Sequence, residues 1–251
     1  MRLFRHELVG EQRLFWRNRE AAFFTFFLPV IFFLILGSVY GNDTISGEHV
    51  KGSAYLVAGM IGYGVASTAF AGLAITIVVR RESGVLKRIR ATPLPPATYL
   101  AAVLASILLV FLFESAIIIG LGRILYGVGL PTHWLSLILA LLLGAGAFAA
   151  LGLAITAAVR SAEGSSAVVN AVYLPTAIIS GTFFSPHAYP GFLKAIADVL
   201  PLTYFTRLLR DVLLRGHEIW QRPGAVAVVA GWGLAGLLVA MRTFRWEPRE
   251  S

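Results

Sequence analysis

Six apolar runs separated by short polar segments dominate the chain, at about residues 21–40, 53–79, 97–122, 134–159, 167–183 and 224–241. At about 1.5 Å rise per residue, a helix needs roughly twenty apolar residues to cross the hydrocarbon core of a bilayer. The pattern therefore predicts an all-α membrane protein, with residues 1–251 forming one transmembrane domain of six helices. Pro29 and Pro175 fall inside runs, where neighbouring helices must satisfy the freed carbonyls, so bent and packed helices are expected. The fifth run is the shortest and contains Asn170, Pro175 and Ser180-Gly181. A five-span arrangement with this run re-entrant is the alternative.

Between the runs the periodicity changes. In MRLFRHELVGEQRLFWRNRE, Phe4, Leu8, Phe15 and Trp16 recur at helical spacing, which predicts an amphipathic helix lying at the membrane surface. Glu11 and Gln12 interrupt that stripe. Residues 190–216, PGFLKAIADVLPLTYFTRLLRDVLLRG, predict two short amphipathic helices resting on the outer surface or dipping into it. The second has Phe205, Leu208, Leu209, Val212 and Leu213 on one face, opposite Arg207, Arg210 and Asp211. Only about twelve residues join the first two runs, too few for an ectodomain.

The remaining segment, RRESGVLKRIRATPLPP at 80–96, carries five basic residues and then three prolines within four positions. Val85, Leu86 and Ile89 fall on one side of a two-turn helix, with Lys87, Arg88 and Arg90 on the other. Thr92 before Pro93 ends it. A helix this short is unstable alone in water and needs a surface. Two surfaces qualify, the lipid headgroups and a cytoplasmic partner with a groove, and the residues do not decide between them.

Composition agrees with the pattern. Of 251 residues 57% are hydrophobic and 14% charged, against about a quarter charged in soluble domains. The net charge of +8 would suggest nucleic acid in a soluble protein, but here the basic residues flank apolar runs, so membrane lipids are the expected partner and nucleic acid is not. Fourteen Lys and Arg fall on the side of residues 1–20, 80–96, Arg160 and the tail, against seven on the other, which predicts cytoplasmic termini. Five of the seven lie between Phe184 and Pro223 and oppose the rule. No cleavage site follows the first run, which is expected to be retained.

RRESGVLKRIRATPLPPATYL resembles the cytoplasmic loop of type-2 ATP-binding-cassette permeases. The stretch NAVYLPTAIISGTFFSP, followed by LPLTYFTRLLRDVLLRG, is similar to that family's second signature, and the six-run layout agrees over essentially the whole chain. The resemblance implies a cell-membrane permease subunit of an exporter, nearest the drug-, antibiotic- and lipid-exporting branches. It implies a coupling helix seated on a separate ATP-binding subunit, carried by Glu82, Gly84, Leu86, Lys87, Arg88, Ile89, Arg90, Thr92 and Pro93. It also implies a second permease chain, identical or not. ATP and magnesium would sit on the partner ATPase, with no cofactor on this chain.

Chemistry of its own is hard to find. There is no Gly-Lys pair, hence no phosphate-cradling loop, and no cysteine. His6, His49, His133, His187 and His217 lie outside the runs without metal-ligand spacing, so neither a metal site nor an intramembrane hydrolase is expected. Asn42-Asp43-Thr44 matches a glycosylation sequon of the kind common by chance. Glu114 is the one ionisable residue well inside a run and marks a pathway or a polar pair, with Arg207 or Arg210 as a partner within reach. Asn170, Pro175, Ser180 and Gly181 complete the candidate translocation path; Asn170 and Ser180 would equally serve as hydrogen-bonding glue between helices. An ATPase-independent secondary transporter or channel is the competing function.

Overall fold

The computed structural model describes residues 2–41, 43–45, 48 and 50–247, so Asn42 of the sequon, His49, and Arg249 and Ser251 of the tail lie outside the described residues. Helix α1 (Arg2–Arg17) meets α2 (Arg19–Tyr40) at Asn18, whose side chain accepts the Ala21 N–H and caps α2. The second run forms one continuous 31-residue helix, α3 (Gly52–Gly64), a π-helical segment (Val65–Gly72) and α4 (Leu73–Glu82). Short α5 (Val85–Arg90) follows, then α6 (Pro96–Tyr126), α7 (Trp134–Ile155) and α8 (Ala162–Ile179). Helices α9 (Gly191–Ala197) and α10 (Pro201–Leu214) lead to α11 (Pro223–Thr243).

Among the described residues five helices are long and apolar enough to cross a membrane: α2, the α3–α4 rod, α6, α7 and α11. The fifth predicted run is displaced toward the N-terminus in α8. Ser161 caps α8 by accepting the Gly164 N–H, and the helix stops at Ser180 before Gly181, which turns at φ +79°. Its 18 residues amount to roughly 27 Å. Arg81 at the end of α4 hydrogen-bonds Val159 O just before α8, while Tyr55 near the start of α3 hydrogen-bonds Gly181 O just after it. Helix α8 thus runs antiparallel to the α3–α4 rod over nearly its whole length.

The largest core joins α3, the π-helical segment, α7 and α10. Among the described residues α9 stays peripheral, with Ala197 its one buried residue, but α10 is buried on nearly every side among α3, α7 and α11. A surface-resting α10 is therefore wrong, because the face opposite its apolar stripe is also enclosed: Arg210 is 2% exposed and Asp211 7%. Phe205 packs against Gly144, where any Cβ would collide with the ring. Gly144 lies ten residues into α7, so α10 reaches about 15 Å below that end of the bundle. Helix α10 thus enters the bundle and does not lie on it.

A second core lies at the end of the bundle that carries α5. It gathers Leu73 and Ile77 of α4, Leu86 of α5, Tyr99 and Val103 of α6, and Leu153 of α7. Trp246, just past α11, closes this end against Tyr99, with ring centroids 6.4 Å apart.

Candidate coupling surface and membrane-embedded cleft

Each part of RRESGVLKRIRATPLPP has a local reason. Gly84 sits at φ +74°, a left-handed conformation that costs glycine little, and this reverses the chain between α4 and α5. The Thr92 hydroxyl donates to Ile89 O at 2.7 Å and finishes α5, and Pro96 opens α6 where no backbone N–H is needed.

The five basic residues divide into two groups. Arg80 makes a bidentate ion pair with Glu11 of α1 at 2.7 and 2.8 Å and donates to the Tyr99 hydroxyl at 2.7 Å. Arg81, 2% exposed, donates to Thr156 O at 3.1 Å and Val159 O at 2.8 Å, satisfying carbonyls left open where α7 ends. Its Nε pairs with Glu82 at 2.7 Å. Lys87, Arg88 and Arg90 remain exposed, together with Val85. Leu86 is fully enclosed by the chain's own second core, and Ile89 is half-buried beside it. These two apolar side chains hold α5 to the bundle and leave its outward face cationic. Of the apolar seat for a partner expected from Val85, Leu86 and Ile89, only Val85 is exposed.

Glu11 and Gln12, which break the apolar stripe of α1, face inward. Glu11 holds Arg80, and Gln12 Nε2 donates to Ser106 O and Oγ of α6, both at 3.0 Å. Trp16 stays on the exposed side, stacked on Phe26 at 5.6 Å. The interruption of the stripe was the available signal for this contact; nothing in the sequence names Arg80 or Ser106 as the partner.

A cleft of ≈ 410 Å³ opens where α2 leaves the rod. Helix α2 packs on α3 but has no comparable packing with the π-helical segment or α4, so the two diverge toward the α5 end. Hydroxyls of Thr25, Ser67, Thr68, Thr76 and Ser106 line the gap together with apolar side chains, and the Arg80–Glu11 pair stands at its mouth. Thr68 Oγ1 donates to Glu114 Oε2 at 3.0 Å. Glu114 is 2% exposed and its Oε1 has no hydrogen-bond partner. A Cβ on Gly64 would approach Oε1 to 2.7 Å, so this glycine makes room for the carboxylate.

Neither arginine proposed for Glu114 reaches it. Arg207 pairs with Asp198 at 2.6 Å, and Arg210 donates to Gly181 O while lying 3.8 Å above the Tyr55 ring. Farther along, Arg215 pairs with Asp211 at 2.7 Å and Glu48 at 2.8 Å, and Arg222 with Asp211 at 2.8 Å. The Asp211 hydrogen bond pushes the Arg215 pKa above its ordinary value. Three of the five basic residues that opposed the charge rule, Arg207, Arg215 and Arg222, are thus ion-paired within the chain, and Arg210 is held by a carbonyl and a ring.

The path candidates fall in separate surroundings. Ser180 and Gly181 are buried in a node where Thr206 Oγ1 donates to Ser180 O at 3.1 Å and Tyr55 Oη to Gly181 O at 2.8 Å. Asn170 is half-buried, and Pro175 is exposed on the outer side of α8. An apolar cavity of ≈ 400 Å³ lies between α7, α8 and the Leu200–Pro201 tip of α10. Among the described residues no group of three or more His, Asp or Glu has metal-binding geometry.

Residues 2–214 match the family model described as ABC-2 type transporter. The chain is 26% identical over 212 residues to the probable doxorubicin resistance ABC transporter permease protein DrrC of Mycobacterium tuberculosis, in both the CDC 1551 and H37Rv strains. That match covers 81% of this chain and 74% of the relative. A shorter match, 30% identical over 96 residues, links 36% of this chain to 13% of ABC transporter G family member 20 of Dictyostelium discoideum.

Proposed function

Because this chain belongs to the ABC-2 type transporter family, we propose that it is the membrane-spanning permease of an ATP-driven exporter of hydrophobic or amphipathic molecules such as drugs, antibiotics, lipids or glycolipids. The name of the M. tuberculosis relative favours the drug class. Membership makes the chain a multi-pass membrane permease of the kind that partners an ATP-binding subunit and dimerises. ATP and magnesium would bind on that separate subunit, and this chain would hold no cofactor and carry out no hydrolysis.

The observation that carries the reading is the build of α5. It is clamped to the bundle by Leu86, next to anchors at Arg80 and Arg81, and turns Lys87, Arg88 and Arg90 outward. A helix fixed in this way passes a push from a partner into α4, α6 and α7 together. The antiparallel course of α8 along the rod supports six crossings, with both termini and α5 on the cytoplasmic side. The internal ion pairs of Arg207, Arg215 and Arg222 support the same orientation, because much of the opposing charge of that segment is neutralised locally.

The test is copurification with the cognate ATPase. Arg88→Glu with Arg90→Glu reverses an exposed face, so it should spare folding, weaken ATPase association, and do so more at low salt than at high salt. Full association and transport in this variant would leave α5 a lipid-facing connector, whereas transport by wild type with no associated ATPase would favour an ATPase-independent transporter.

A further inference from the structure

We propose that the cleft between α2 and α4 is a loading site for an amphipathic cation drawn from the adjoining bilayer leaflet, with Glu114 as the group that recognises the positive charge. As a transport step the assignment rests on the exporter reading; as a binding site it does not.

The cleft has a charge balance that selects its ligand. Arg80 is matched by Glu11 with both terminal guanidinium nitrogens engaged, so this pair offers an anion no unmatched positive charge. The remaining polar lining is hydroxyl and amide, neutral and able to accept or donate. On the floor, Val103, Ile107 and Val110 of α6 follow helical spacing, and Glu114 continues that stripe one turn deeper. Glu114 is therefore the next group inward on the same wall. Thr68 lines the cleft and also donates to Glu114, so one threonine side chain separates the open space from the carboxylate.

Two features mark Glu114 as waiting for a partner. Its Oε1 is buried without a hydrogen bond, an expensive arrangement for a carboxyl group inside a membrane. Gly64 lets the carboxylate sit at this depth, because a Cβ there would come within 2.7 Å of Oε1. A cation that displaced Thr68 would meet a buried carboxyl oxygen that lacks a hydrogen-bond partner, while its apolar body lay on Leu14, Phe15 and the α6 stripe. The volume, ≈ 410 Å³, suits a drug-sized molecule.

Tetraphenylphosphonium and tetraphenylborate, nearly the same shape with opposite charge, are the probes. Displaceable binding is measured on the permease alone in lipid nanodiscs, with empty nanodiscs as background and thermal melting as the folding control. Wild type should bind the phosphonium, the borate should fail to compete, and Glu114→Gln should weaken binding by about tenfold or more. Thr25→Trp, a substitution at a half-buried position that fills the cleft from its α2 side, should do the same without touching the carboxylate. Unchanged binding in folded Glu114→Gln and Thr25→Trp, or equal competition by the borate, overturns the assignment. Because no ATPase is present, that failure is separate from a failure of the exporter reading, which copurification reports.

Discussion

Leu86→Ala separates two roles that the sequence of α5 leaves merged. Leu86 is 0% exposed in the second core, so its loss removes a contact within the permease, not one with a partner. Buried leucine-to-alanine changes cost about 2–5 kcal/mol, depending on how far the site collapses. Helix α5 has six residues and cannot hold itself together when undocked. Much of that cost should therefore appear as local release of α5. At about 2 kcal/mol the released population rises roughly thirtyfold, since each 1.4 kcal/mol is a factor of ten. Hydrogen exchange read on peptides covering residues 83–92, in nanodiscs, is the assay. Exchange there should accelerate strongly in Leu86→Ala while α7 and α10 stay protected, and ATPase coupling should fall because the lever is loose. Arg88→Glu with Arg90→Glu should weaken association with no change in exchange. If Leu86→Ala leaves exchange at 83–92 untouched, Leu86 is not the anchor and the clamped lever is wrong.

Three further outcomes follow from other contacts. Glu11→Gln and Arg80→Gln should each lower the melting temperature, and their double-mutant cycle should show coupling above about 1 kcal/mol because the pair is bidentate and largely buried. Additivity would mean that α1 is held by Gln12 and its apolar contacts alone. Gly144→Ala should destabilise by forcing the Phe205 ring aside, and Phe205→Leu in the same chain should recover part of the loss; a stability unchanged by Gly144→Ala would place α10 higher in the bundle. In this cysteine-free chain, single cysteines at exposed Val85 and Trp220 should react with an impermeant thiol reagent from opposite sides of the membrane. Labelling of both from one side contradicts six crossings.

Much of the bundle was legible because apolar length is a local property. The first, second, third and sixth runs agree with their helices to within a few residues. The fourth was placed too long because Thr156–Val159 are apolar enough to pass for helix, although α7 ends at Ile155 and Arg81 takes its carbonyls. The fifth run starts later than α8 because the first turn of that helix, capped by Ser161 and carrying Glu163, is polar. What stayed hidden was depth and pairing. An amphipathic pattern such as that of α10 predicts one enclosed face, and no periodicity reveals that Arg210 on the other face is enclosed by Tyr55 and Gly181. The cleft is likewise formed by residues of α1, α2, the π-helical segment, α4 and α6, far apart in sequence and joined only by the packing. Glu114 was identified as out of place in a membrane, but its partner Thr68 could not be named from a stretch with hydroxyls at Ser67, Thr68 and Thr76 alike.

The π-helical segment has a consequence for gearing. Val65–Gly72 is wider than the α-helix on either side and carries a surplus residue within an otherwise continuous rod. If that residue were absorbed into α-helical winding, everything beyond would turn by about 100° and shift by about 1.5 Å relative to α3. Tyr55 and Gly64 precede the joint and would stay in place, Tyr55 with the buried node at Gly181 and Gly64 beside Glu114. Thr76 and Arg80 follow it and would swing off the cleft wall, carrying α5 with them. A small push at one end of the rod would thus be converted into rotation at its middle, with the far end stationary. Spin labels on either side of residues 65–72 would report that rotation as a change in separation between the α4 half and α6, with none between α3 and α6; equal displacement of both halves would mean the rod moves as one rigid piece.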